Sequence, residues 1–244
     1  MKILFTNLAD TATLSAGGTL SVNYPLANLT HVFLTKKFQQ IVSALSDAQA
    51  LTLTWAADQT IDFVALGYTN GTAFTLKLYD SASTLLFTQT FTSAEMGATF
   101  TAVSGVRSAK LVIDDGTAVF PMTVYLGGIG IGLSTDIGRP LYDWRPECID
   151  NSFGAETIDG QVLGQYIEPL RRPKFSFITS SRATLDAVQA GVNAVGKYTP
   201  VYVIPFTGAL ATVKPLYCTI PEGVESPARD GLLYTFSLTL QEAR

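Results

Sequence analysis

The sequence predicts a mainly β protein: an N-terminal jelly-roll β-sandwich followed by a smaller β-sandwich or barrel domain with one α-helix. Three observations predict it. Across residues 51–79, Leu51, Leu53 and Trp55 alternate with Thr52 and Thr54, and Phe74, Leu76 and Leu78 alternate with Thr75 and Lys77. A period of two is the pattern of strands with one buried face. About eight short apolar runs parted by turn residues fill the first part of the chain, which is what a jelly roll needs. One stretch, Thr184–Val195, carries the spacing of an amphipathic helix.

Taken in order, Thr13–Val22 reads as an extended Ser/Thr/Gly-rich segment and Tyr24–Leu29 as a turn, with short runs at Phe33–Thr35 and Gln40–Ala44. Leu51–Trp55, Ile61–Gly67 and Phe74–Tyr79 read as three strands. Ala57-Asp58-Gln59 and Asn70-Gly71 are the expected turns between them, the second able to supply the positive φ of a tight hairpin. Ile61–Gly67 is apolar almost throughout, as a strand near the centre of a sandwich would be. Leu85–Phe91, Ala98–Val103, Ala109–Ile113 and Met122–Ile131 complete the set, with Asp114-Asp115-Gly116 turning between the last two. Ser93–Met96 is at most one helical turn.

Apolar alternation stops at Ser134–Pro140, so the expected domains are 1–133 and 134–244. In the second, Gln161–Tyr166 and Pro173–Ile178 read as strands. The helix follows, placing Leu185, Val188, Val192 and Val195 on one face. Ser180, Ser181 or Thr184 can cap its start, and Gly196 suits its end. Thr199–Pro205, Lys214–Ile220 and Tyr234–Leu240 resume the β pattern.

Charged residues make up 15% of the chain and hydrophobic ones 47%, with a mean hydropathy of +0.27. That is little charge for a freely dispersed monomer, so apolar surface is expected to be covered by partners. No membrane span accounts for it: Val124–Leu133 is too short and too rich in glycine. The opening Met1–Asn7 lacks the form of a signal peptide. A net charge of −4 argues against binding nucleic acid or an anionic membrane. Cys148 and Cys218 stand far apart and in no metal spacing, and are expected as reduced thiols.

No catalytic, cofactor-binding or metal-binding residue is assigned. His31 is the sole histidine, set where a turn enters a strand, and reads as structural. Asp143, Glu147, Asp150, Glu156 and Asp159, with Tyr142, Trp144 and Arg145, form an acidic and aromatic loop. A glycosidase needs two carboxylates facing each other across a sugar, which loop spacing does not supply; a solvated loop or subunit contact is the preferred reading. Asp114-Asp115-Gly116 reads as a turn rather than a calcium loop, which would bring more oxygen ligands. Arg171-Arg172-Pro173 is expected to pair with an acidic loop of this chain or a neighbour. Gly127–Gly132 lacks the Lys-Ser/Thr of a phosphate loop, and its glycines are expected to let two backbones approach.

The order of several motifs resembles the amino-terminal module of minor tail proteins of long-tailed bacteriophages. These are Tyr24-Pro-Leu-Ala-Asn-Leu29, Leu51-Thr-Leu-Thr-Trp55, Ile61-Asp-Phe-Val-Ala-Leu-Gly-Tyr-Thr-Asn70 and Leu126-Gly-Gly-Ile129. The run Ile158-Asp-Gly-Gln161, Arg171-Arg-Pro-Lys-Phe-Ser-Phe177, the helix, Pro200-Val-Tyr-Val203 and Thr235–Leu240 is similar to tail-tube-type domains. His31-Val32-Phe33 stands where that family usually has Trp-Arg-Ser. The resemblance implies a galactose-binding-like jelly roll joined to a tail-tube-like domain. It also implies a non-enzymatic virion protein of the tail tip or baseplate, assembled in the host cytoplasm without cofactors. Its partners would be other tail proteins and copies of itself in a ring. The alternative is a module that binds carbohydrate on the host surface through exposed aromatics such as Tyr24 or Tyr68.

Overall fold

A computed structural model describes residues 1–30, 36–92, 96–117, 119–141, 145–149, 153–156, 162–165, 170–205, 215–224, 228–230 and 233–243; at 145–149, 153–156, 162–165, 170–171 and 228–230 only the backbone is described. Strand β1 (Lys2–Leu4) and a 3-10 turn (Leu8–Thr11) precede β2 (Thr13–Ala16) and β3 (Thr19–Leu20). A second 3-10 turn (Leu26–Thr30) leads to β4 (Phe38–Val42), and a third (Asp47–Gln49) to β5 (Leu51–Thr69). Then come β6 (Ala73–Tyr79), β7 (Leu85–Thr92), β8 (Gly97–Asp114), β9 (Met122–Gly132) and β10 (Thr135–Asp136). β11 (Arg145–Ile149), β12 (Phe153–Glu156), β13 (Val162–Gln165), β14 (Leu170–Thr179) and the helix α1 (Arg182–Val195) follow. β15 (Val201–Ile204), β16 (Leu216–Thr219), β17 (Ala228–Asp230), β18 (Leu233–Thr239) and β19 (Gln241–Glu242) complete the order. Two compact units share these elements, one of residues 1–137 with 201–217, the other of 138–200 with 218–243.

The first unit is a jelly-roll sandwich in which two long strands serve both sheets. The 51–54 end of β5 pairs with β2 on one side and with residues 108–111 of β8 on the other. β8 then pairs with β6, and β6 with β7. The 63–69 end of β5 lies in the other sheet, between β9 and residues 97–99 of β8, with β4 and β3 beyond β9. The change of sheet falls where the β5–β8 register slips three times between Thr54 and Phe63. Bulges of this kind bend a strand and let it turn a corner. The expected separate strands at 51–55 and 61–67 are therefore one, and Ala57-Asp58-Gln59 is a bulged bend, not a turn. Likewise 98–103 and 109–113 are both part of β8, which turns at Gly105, a residue with φ +76°.

Asn70-Gly71 does not close a hairpin, because β5 and β6 are not paired with each other. Its asparagine instead clasps β9: Nδ2 donates to the Thr123 carbonyl at 2.8 Å, and the Tyr125 N–H donates to Oδ1 at 3.0 Å. Asn7 does the same farther along β9, donating to the Ile129 carbonyl and accepting from the Ile131 N–H. Tyr24–Leu29, read as a turn, ends in the second 3-10 turn. The expected elements at 33–35 and 93–95 lie outside the described residues.

Between the sheets, Leu51, Leu53, Ile61, Val64, Leu76, Leu78, Leu111, Val124, Leu126 and Ile131 are fully or almost fully buried. Trp55 joins them and keeps its indole N–H satisfied by donating to the Leu8 carbonyl at 2.8 Å. A smaller cluster gathers Leu4, Phe63, Ala65, Tyr202 and Ile204, because β15 pairs with β1 in the register Lys2↔Ile204 and Leu4↔Tyr202. Gly130 receives the Tyr202 ring: a Cβ there would lie 2.5 Å from ring carbon Cδ2. The expected close approach of two backbones at this glycine is thus the approach of a side chain. Asp62, almost fully buried, accepts from Lys2 Nζ at 3.0 Å, from the Ser134 N–H at 2.7 Å and from Ser134 Oγ at 3.0 Å.

In the second unit, β11, β14, β18 and β17 form a four-stranded antiparallel sheet, and β12 pairs with β13. Phe175 and Phe177 of β14 and Phe236 of β18 are buried on one face, with Phe177 stacked on Phe236 at 5.1 Å between centroids. Helix α1 is set by its caps: Ser181 Oγ accepts the Thr184 N–H, and Gly196, with φ +67°, follows the last turn. Leu185, Val188 and Val192 are buried as the spacing predicts, whereas Val195 is only half-buried because it lies in the last turn. Cys218 is buried and in no disulfide; the side chain of Cys148 lies outside the description.

Candidate functional site

Two surface clusters in the first unit bring together side chains suited to hold a ligand. The first spans three adjacent strands, β4, β9 and β5. Tyr125 on β9 stands opposite Gln39 of β4, and Tyr68 lies one residue before the end of β5. Lys37, just ahead of β4, places its ammonium 4.5 Å from the centroids of both tyrosine rings. A cation over a ring face is held by the ring quadrupole. Here one cation is shared by two rings.

Tyr68 is held in an uncommon backbone conformation, with φ +51°. A bulky residue in the left-handed region costs on the order of 1–3 kcal/mol and persists only where its surroundings fix it. Asn70, two residues on, supplies that fixation through its two bonds to β9. Even so, Tyr68 is 59% exposed, so the strained residue offers much of its surface to solvent. Tyr24 is a second exposed aromatic, and its carbonyl accepts the N–H of Gln39.

The second cluster is an open groove of about 230 Å³ on the outer face of the other sheet, lined in part by Asp47, Thr75, Lys77, Thr90 and Asp114. Strand alternation puts Lys77 and Tyr79 on one face of β6, and Lys110 of β8 is the direct neighbour of Lys77. The 3-10 turn at 47–49 brings Asp47 to them. Lys77 Nζ donates to one carboxylate oxygen at 2.6 Å and the Tyr79 hydroxyl to the other at 2.7 Å. The Lys77 hydrogen bond, then that from Tyr79, holds the Asp47 carboxyl below its usual range. Burial, then the bond to Asp47, pushes the Tyr79 hydroxyl up to about 12. Lys110 sits 5.3 Å above the Tyr79 ring, and the Thr75 and Thr90 hydroxyls meet at 2.8 Å.

Other residues singled out in the sequence have quieter roles. Asp114 and Asp115 turn inward on the chain, accepting the N–H groups of Gly116 and Thr117. Arg172 pairs with Glu222 of the same unit. The expected acidic loop is in part strand: Arg145 and Glu147 fall on β11 and Glu156 on β12, while Tyr142, Asp143, Trp144, Asp150 and Asp159 lie outside the described residues, as does His31. Among the described residues no group of three or more His, Cys, Asp or Glu is placed to hold a metal ion. Nor, among them, is any helix long and apolar enough to cross a membrane.

Sequence reasoning named Tyr68 and Tyr24 as exposed aromatics but missed Lys37 and Tyr125, which meet Tyr68 only through the strand order β4-β9-β5. Of the second cluster it placed Thr75 and Lys77 on the polar face of their strand and missed Tyr79, Lys110 and Asp47.

No family model matches the chain, and no curated protein matches it. Several solved structures of sugar-binding modules are similar over about half of it. The lectin domain of lectinolysin complexed with Lewis b antigen is 12% identical, covering 52% of this chain and 95% of its own, with a TM-score of 0.43. A Streptococcus pneumoniae fucose-binding module is 10% identical, over 52% of this chain and 94% of its own, with a TM-score of 0.42. Chitosan-binding module 1 of a chitosanase/glucanase from Paenibacillus sp. IK-5 is 18% identical, over 52% and 98%, with a TM-score of 0.39.

Proposed function

We propose that this chain is a non-enzymatic binding protein whose jelly-roll unit holds carbohydrate at Tyr68, Lys37 and Tyr125. The observation that carries this reading is the strained, exposed Tyr68 locked beside a lysine that a second tyrosine also holds. A sugar presents an apolar C–H face and a rim of hydroxyls. The exposed ring of Tyr68 covers the first at little entropic cost, and the Lys37 ammonium donates to the second. Strain held in the free protein means the ring is already in place when the ligand arrives.

The test is a panel of surface glycans presented to the intact chain, followed by titration of whichever sugar is retained. Tyr68→Ala and Lys37→Ala are expected to weaken binding about tenfold or more, the equivalent of ~1.4 kcal/mol, with the fold unchanged. Retention of no glycan, or undiminished binding by Tyr68→Ala, overturns the reading.

A second reading is favoured by the motif order shared with minor tail proteins and by the apolar surface left open in the described residues. Val22 is 95% exposed and Tyr198 89%, and Leu20, Ile41, Val119 and Phe120 are also exposed. In this reading the chain is a structural adaptor of a phage tail tip or baseplate, joined to other tail proteins or ringed with its own copies. The two readings are compatible, since a tail tip meets the host surface. Co-purification with neighbouring tail proteins, and rings in electron micrographs of the complex, are the expected results. Failure to associate with any of them, together with measurable affinity for a glycan, leaves only the carbohydrate reading.

A further inference from the structure

Strand β7 ends its sheet: it pairs with β6 on one side, and among the described residues no strand pairs with its other side. Edges like this present unpaired N–H and C=O groups and are usually protected by charge, proline, a bulge or a short length. β7 has eight residues, Leu85-Leu-Phe-Thr-Gln-Thr-Phe-Thr92, with no charged residue and no proline. Its one irregularity falls at the Tyr79/Leu85 end, so residues 87–92 run in regular register against β6. Leu85 and Leu86 are exposed as well. From Leu85 to Thr90 every residue is exposed or half-buried, and over this length the edge is open to another strand.

The sequence of the edge says which strand fits. Phe87-Thr88-Gln89-Thr90-Phe91 reads the same in both directions. When two copies lie antiparallel about Gln89, Phe87 faces Phe91, Thr88 faces Thr90 and Gln89 faces its own twin. Every residue meets one of its own kind on the same face of the sheet. Directly opposed threonines are among the favourable cross-strand combinations, and Thr88, Gln89 and Thr90 are all exposed to make them, whereas Phe91 is fully buried in its own core and adds no contact between copies. No like charges are opposed. In each copy Phe91 packs on Phe74 at 4.9 Å, and Phe87 stacks on Phe100 at 4.4 Å, so both rings are held by their own core and keep the strand flat and in register.

We infer that β7 is a self-association edge: a second copy of this chain pairs with it antiparallel about Gln89, with a two-fold axis at that residue. The sheet then runs unbroken through the pair. The contact is isologous, as closed two-fold dimers require. An interface built on one strand pair is small and lies at the weak, transient end of protein association. The inference is independent of carbohydrate binding, because Tyr68 lies in the other sheet.

The test is the solution mass of the full chain by sedimentation equilibrium, up to about 0.1 mM, a concentration suited to a weak contact. The wild type is expected to approach twice the chain mass of 26.1 kDa as concentration rises. Gln89 is exposed and at the axis, so Gln89→Lys sets two like charges face to face and is expected to weaken association about tenfold or more. Gln89→Glu is expected to do the same, and an equimolar mixture of the two variants to restore the dimer. Circular dichroism confirms that each variant is folded. A wild type that stays monomeric throughout, a Gln89→Lys variant that dimerises like wild type, or a mixture that does not recover overturns the inference.

Discussion

Replacing Gly130 by alanine tests how β15 docks on the jelly roll. An added Cβ would lie 2.5 Å from Cδ2, 2.6 Å from Cγ and 3.0 Å from Cε2 of the Tyr202 ring. Carbon atoms in contact settle near 3.5–4.0 Å, so ring and strand must part by about 1 Å. Tyr202 has little room to yield, being 5% exposed and packed at 4.8 Å against Tyr217. Overpacking of this kind costs ~1–3 kcal/mol. Without the ring, alanine in a strand would instead gain roughly 0.5–1 kcal/mol over glycine by restricting the unfolded chain. Urea denaturation of Gly130→Ala is therefore expected to show a net loss of about 1–2 kcal/mol. In a Tyr202→Leu background the same substitution is expected to be neutral or stabilising, a coupling that a double-mutant cycle reads directly. Equal costs in both backgrounds would refute the seat of Tyr202 on Gly130, and with it the pairing of β15 with β1.

Two further outcomes are expected. On α1, Leu185→Ala should cost ~2–5 kcal/mol in chemical denaturation because Leu185 is fully buried. Asp186→Ala, which removes only the exposed i,i+4 pair with Arg182, should cost about 0.5 kcal/mol or less; equal losses on both faces would mean the helix is covered all round. At high pH the jelly roll should weaken: Tyr217 is pushed up to about 12 by burial, as is Tyr79, and burial also drives Tyr202 well upward. Folded values above the unfolded value near 10 mean that this stability is complete below pH 10 and lost as pH rises through about 12. A urea midpoint that stays flat across that interval would contradict the burial of these hydroxyls.

What the sequence discloses follows from how local each signal is. Helix α1 was legible because its whole instruction set, from Ser181 through the apolar stripe to Gly196, lies within sixteen residues. The inward faces of 51–55 and 74–78 were legible because alternation is a property of a single strand. The continuity of β5 was not: Ala57-Asp58-Gln59 is polar like a turn, and only the slipped register against β8 shows that the chain runs on. Asn70-Gly71 carries hairpin chemistry, yet Asn70 spends its side chain on β9, a choice fixed by a strand more than fifty residues later. For the same reason Tyr68 could be named from the sequence while Lys37 and Tyr125 could not. Their meeting depends on strand order, which no short window contains.

The passage of β5 and β8 through both sheets has a mechanical consequence. In a sandwich whose sheets touch only through side chains, a sideways pull lets one sheet slide over the other. Here the two layers are tied twice by unbroken backbone, so sliding is blocked until the bulged corners near residues 55–61 and 103–106 give way. A tug at Tyr68 travels along covalent bonds to Leu51 in the opposite layer, and the jelly roll should bear load as one body.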